Sequence, residues 1–124
     1  GTIIGFGKKW QKHVDDCLPE ILQLHQYYQA GTFYTETNGD KGYLAKHLIE
    51  RSQYVQKYHE KTNKFIKISS YLRKYWSRII WLEDTDKEYI AEILDYTENA
   101  EHDDAPDSAA SLLREIKNTN KWLY

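Results

Sequence analysis

The chain has 124 residues, enough for one domain with a real but modest core. Hydrophobic residues make up 40% and charged residues 29%, the mix of a soluble globular protein, and no apolar run approaches the roughly 18–20 residues of a membrane span. The net charge of −2 advertises no global basic surface, the single Cys17 excludes a disulfide framework or a Cys-based zinc cluster, and no signal peptide is visible. Methionine is absent, so the sequence reads as a processed, tagged or excised piece of something longer.

Taken in chain order, residues 2–10 (TIIGFGKKW) predict a strand. Val14, Cys17, Ile21, Leu24 and Tyr28 recur at helical spacing and predict a helix over residues 15–29, with Pro19 limiting its first turns and Ala30-Gly31 ending it. Residues 32–37 (TFYTET) are β-branched and aromatic, a short strand broken by Asn38-Gly39-Asp40. A helix follows over residues 42–52 with Leu44, Leu48 and Ile49 on one side, then a strand over 54–59. Residues 63–76 form an amphipathic pattern through Phe65, Ile68, Leu72 and Tyr75. A strand over 79–82 (IIWL) precedes a helix carrying Tyr89, Ile90, Ile93 and Leu94, for which Thr85 and Glu88 have the spacing of a capping box. Pro106 marks the first turn of a last helix with Leu112, Leu113 and Ile116. The alternation predicts an α/β domain with a mostly parallel sheet, whose functional groups gather at the C-terminal strand ends.

Charge is segregated along the chain. Residues 55–78 hold seven bases (Lys57, Lys61, Lys64, Lys67, Arg73, Lys74, Arg78) against one acid, Glu60, and residues 83–107 hold eleven acids against one base, Lys87. The basic belt is interleaved with Tyr58, Phe65, Tyr71, Tyr75 and Trp76, a pattern that suits a phosphate-facing surface; a helix with a solvated basic face explains the charge as well.

Two places carry candidate chemistry. Glu36 ends a short strand just before a glycine-containing turn, where a carboxylate can point into a crevice, although an ordinary strand-end acid is the commoner explanation of that position alone. Asp103, Asp104 and Asp107 crowd the start of the last helix, with Glu101 beside them. Helix capping and the macrodipole account for one or two of these acids, and a divalent cation would relieve the repulsion among the rest. Hard oxygen ligands suit Mg2+ or Mn2+. Gly5-Phe6-Gly7-Lys8-Lys9 lacks the Ser/Thr and upstream glycine of a phosphate-binding loop, the histidines have no HExxH spacing, and Cys17 lies on a core face.

Several stretches, in order, resemble the nuclease domain of the large terminase subunit of tailed bacteriophages. Phe33-Tyr34-Thr35-Glu36-Thr37-Asn38-Gly39-Asp40-Lys41-Gly42 resembles its strand ending in Glu-x-Asn with a following glycine, Tyr58-His59-Glu60-Lys61-Thr62-Asn63-Lys64-Phe65-Ile66-Lys67-Ile68 its NK-x-x-(R/K)-I helix start, and Ile79-Ile80-Trp81-Leu82 the strand after it. His102-Asp103-Asp104-Ala105-Pro106-Asp107-Ser108 resembles its HDDAPDS/A signature, the most specific of the set. The resemblance implies an RNase H-like fold, a central, mostly parallel mixed sheet flanked by helices. It further implies cleavage of concatemeric double-stranded DNA during genome packaging, with two Mg2+ or Mn2+ ions clamping the scissile phosphate.

On that resemblance Glu36, Asp104 and Asp107 match catalytic acids, with Asp103 a further metal candidate, and Lys57, Lys61, Lys64, Lys67 and Arg73 would hold the duplex. The family's first acid, an Asp on its first strand, has no counterpart, because the opening strand carries no carboxylate and Asp15 and Asp16 fall on the helix after it. The implied whole is the C-terminal portion of the nuclease domain without its first strands or the ATPase domain, a piece that cuts poorly or not at all by itself. An ATPase domain, the small terminase subunit and the portal would be its partners in the cytoplasm of a bacterial host, with no membrane. Rival readings are a catalytically silent DNA-binding or assembly module, and a fragment of another RNase H-like nuclease.

Overall fold

A computed structural model describes residues 1–38 and 42–119, with side chains described through residue 116. Strands and helices alternate as the sequence predicts, giving an α/β chain with five α-helices and two small parallel sheets among the described residues. The chain divides into two units, the first made of Gly1–Lys9 and Thr62–Tyr124, the second of Trp10–Lys61. The strands pair as β1 with β4 and β2 with β3, so two separate two-stranded sheets stand where one central sheet is expected.

In the second unit α1 spans Val14–Tyr27. Its N-cap is His13, whose Nδ1 accepts the Asp15 N–H at 3.2 Å, and Asp15 and Asp16 place negative charge at the positive end of the helix. Pro19 sits inside this helix, which begins earlier than the proline suggested. Gln29, at φ 53°, ends it in the left-handed region, and the Ala30 N–H reaches back to His25 O at 3.0 Å. Strand β2 (Thr32–Glu36), helix α2 (Tyr43–Glu50) and strand β3 (Tyr54–Tyr58) form one β-α-β crossover. The strands run parallel in register from Thr32 opposite Tyr54 to Glu36 opposite Tyr58. Gly42 opens α2 at φ 83°, a conformation glycine adopts without strain. The Gly39-Asp40 turn expected between β2 and α2 lies outside the described residues.

In the first unit β1 (Ile3–Gly5) pairs in parallel with β4 (Ile79–Trp81), which follows α3 (Lys64–Tyr75) and a single 3-10 turn (Trp76–Arg78). Strand β1 is shorter than expected because the backbone beyond Gly5 finds other partners. The Gly7 N–H donates to Thr85 Oγ1 at 3.4 Å, and the Lys9 N–H donates to Asp86 Oδ2 at 2.9 Å. Thr85 and Asp86 therefore serve the distant N-terminal segment. Asp86 is the N-cap residue of α4 (Lys87–Leu94) but makes no side-chain cap bond, so the expected Thr85–Glu88 capping box does not form.

Helix α5 spans Asp104–Thr119 and packs against α3 and α4. Its small residues Ala105 and Ala109 let it approach closely, forming a core with Tyr89 and Ile93 that Leu72, Trp76, Trp81 and Ile90 flank. Pro106 is fully buried in the first turn, where its missing N–H leaves no helix bond unmade. The Asp103 carbonyl accepts the first helical N–H, from Asp107, at 2.9 Å. No helix among the described residues is long and apolar enough to cross a membrane.

Candidate functional site: the acidic start of helix α5

Helix α3 brings two lysines of the basic belt to the start of α5. Asn63 caps α3, its Oδ1 accepting the Ile66 N–H at 3.1 Å, so Lys64 begins the first turn and Lys67 lies one turn further. Lys67 is fully buried, its ammonium 2.6 Å from Asp107 Oδ1 and donating to Ser111 Oγ at 2.9 Å. The Lys64 ammonium lies 3.4 Å from Asp103 Oδ2 and 3.9 Å from Asp107 Oδ2. The lysines thus relieve the repulsion among these aspartates, the task first assigned to a metal ion.

This corrects the duplex-holding role of Lys67. A buried ammonium committed to a carboxylate and a hydroxyl does not present itself to a phosphate backbone. The charge pattern suits a phosphate-facing surface and a solvated helix face alike, and no local signal separates a buried lysine from its exposed neighbours. Lys64 and Arg73 are exposed in the first unit, and Lys57 and Lys61 are exposed in the second. Those four keep the accessibility a phosphate contact needs.

Asp104 is exposed at the first position of α5. Glu36 is half-buried at the C-terminal end of β2, in the other unit from the aspartates. Beyond Glu36 the chain still follows its neighbour strand: the Thr37 N–H donates to Tyr58 O at 3.0 Å. The Asn38 side chain then imitates a backbone amide, donating from Nδ2 to Glu60 O at 3.2 Å and accepting the Glu60 N–H at 2.9 Å.

Two groups that pattern reading missed complete the α5 start. Glu92 of α4 accepts the Ala105 N–H through Oε1 at 2.8 Å and pairs through Oε2 with the Lys9 ammonium. Burial pushes the Glu92 carboxyl up, but the Lys9 hydrogen bond, the Ala105 N–H and the charges of Lys9 and His102 together hold it below the usual carboxylate range. Lys9 is raised in turn, first by that hydrogen bond to Glu92 and then, against some desolvation, by Glu92, Glu88 and Asp104. Tyr96 has its hydroxyl pushed up by burial and by Asp103 and Asp107, against an opposing effect of Lys64. Glu92 had only an ordinary helical position to recommend it, since its partners lie 13 and 83 residues away.

Asp103, Asp104 and Asp107 offer the all-oxygen donors that Mg2+ or Mn2+ takes. By themselves, with Glu36 in the other unit, they do not make up a two-metal centre. Among the described residues no three His, Cys, Asp or Glu side chains gather into a group able to hold a metal ion, and Asp103 and Asp107 face ammonium groups. Compared with family models, curated proteins and solved structures, the chain finds no match.

Proposed function

We propose that the chain is the C-terminal portion of a terminase-type nuclease domain with an RNase H-like fold, acting on double-stranded DNA during genome packaging. One observation carries the reading. The resembling motifs fall in order on β2, α3, β4 and the start of α5 of an α/β chain, with Glu36 ending a parallel strand and the HDDAPDS stretch opening a helix. Exposed Lys57, Lys61, Lys64 and Arg73 supply the phosphate-facing charge, and DNA affinity falls with rising salt as their counterions return. The implied Mg2+ or Mn2+ is not held by the α5 acids alone, so no metal-borne step is assigned to them. The ATPase domain, small subunit and portal belong to the same reading as partners, and the bacterial host cytoplasm as its place of action.

A specific observation favours a second reading. The pairing of Asp103 and Asp107 with lysines suits a catalytically silent DNA-binding or assembly module. Plasmid nicking in Mg2+ and in Mn2+ by the chain with the family's first strands, which carry its first Asp, fused ahead of it, and with Glu36→Ala and Asp104→Asn alongside, separates the two. The nuclease reading expects metal-dependent nicking that both substitutions abolish. Metal-independent cutting, or full activity in Glu36→Ala, sinks it, and DNA binding without cutting favours the silent module.

A further inference from the structure

We propose that Lys67 and Asp107 form a buried anchor that fixes α5 on α3, and that Asp107 is for this reason not a cation ligand. The inference stands on ion-pair geometry; it takes Asp107 out of the acids that the nuclease reading would use and leaves Glu36 and Asp104 to it. The Lys67 side chain has no exposed surface, and that of Asp107 is 12% exposed. The ammonium bridges Asp107 and Ser111, one turn apart on α5, so a single cation from α3 fixes both the rotation and the height of the partner helix.

Both oxygens of Asp107 face positive charge, Oδ1 that of Lys67 and Oδ2 that of Lys64. A divalent cation at either oxygen would be driven against an ammonium, and the buried one has no path to solvent. Removing one partner strands the other as an uncompensated buried charge. Removing both leaves an apolar gap that a hydrophobic pair can fill. The anchor therefore predicts strong non-additivity, which a pair of independent surface charges would not show.

The test is thermal unfolding of the whole chain as Lys67→Met, Asp107→Leu and the double variant, with wild type and Asp107→Asn also melted in millimolar MnCl2. Each single substitution is expected to lower the Tm by about 10 °C or more, and the double to recover most of that loss. Any Mn2+-induced rise in Tm is expected to be equal in wild type and Asp107→Asn. Losses that simply add in the double variant overturn the anchor. A Mn2+-induced rise in wild type that vanishes in Asp107→Asn overturns the exclusion of the cation. If a single variant fails to fold, a double variant that folds is the expected result, and one that does not fold overturns the pair.

Discussion

Glu92 holds the first turn of α5 through Ala105: its Oε1 accepts the Ala105 N–H at 2.8 Å from a different helix. An orphan donor at a helix start is thereby satisfied by a carboxylate that also meets the positive end of the helix dipole. The other oxygen ties the same point to Lys9, so one side chain joins the N-terminal segment, α4 and α5.

Glu92→Ala is expected to destabilise the protein by about 1–3 kcal/mol, because the Ala105 N–H and the Lys9 ammonium lose their acceptor together. Glu92→Gln keeps the acceptor for Ala105 and should lose less. Urea midpoints of the two variants check the order, and an equal loss in both would assign the whole effect to Lys9.

The same pair gives a pH dependence with a definite sign. Glu92 titrates lower folded than unfolded, so its contribution is present above the ordinary carboxylate range and is lost as pH falls through the depressed folded value. Lys9 titrates higher folded than unfolded, so its contribution is full below the ordinary lysine range and is lost as pH rises through the raised folded value. Urea midpoints against pH should therefore fall more gently on the acid side in Glu92→Gln than in wild type.

Gly7 lies so close to Tyr89 that an added Cβ would sit 2.2 Å from the ring. Tyr89 is buried in the core beside Ile93, Ala105 and Ala109 and has little room to give way. Gly7→Ala is expected to cost about 1–3 kcal/mol by overpacking. Gly31→Ala, with open space around the new methyl group, is expected to stay within about 0.5 kcal/mol of wild type. Parallel denaturation curves of the two variants supply the comparison.

Asn38 lengthens the β2–β3 pairing by one imitation residue. Asn38→Ala is expected to speed amide exchange at Glu60 about 5- to 10-fold, the effect of losing roughly 1 kcal/mol of hydrogen bonding. Exchange at Val55, inside the strand pair, should stay nearly unchanged. NMR-detected exchange reads both sites in one experiment.

The sequence made the rhythm of the fold legible but not its long-range partners. Asn63 before an apolar periodicity announces α3, and the β-branched and aromatic run at Thr32–Glu36 announces β2, because both signals are local. Two separate strand pairs were not legible, because a parallel pairing leaves no mark on the strands that make it. Thr85 beside Glu88 has the spacing of a cap, yet Thr85 is taken by Gly7, 78 residues away. Lys67 looks like any belt lysine until Asp107 and Ser111 arrive from α5 to bury it. The α5 acids were legible as a cluster, whereas the lysines that neutralise two of them were visible only as a charge excess elsewhere.

The division of the chain has a consequence for the order of folding. The second unit is one uninterrupted stretch, Trp10–Lys61, whereas the first is assembled from both sides of it. Strand β1 therefore leaves the ribosome long before β4, its partner, exists. The β-α-β crossover can close over a short separation, but Ile3 must wait for Ile79. A stalled nascent chain whose residues up to Lys61 have cleared the ribosome tunnel should already protect β2 and β3 while β1 stays open to protease.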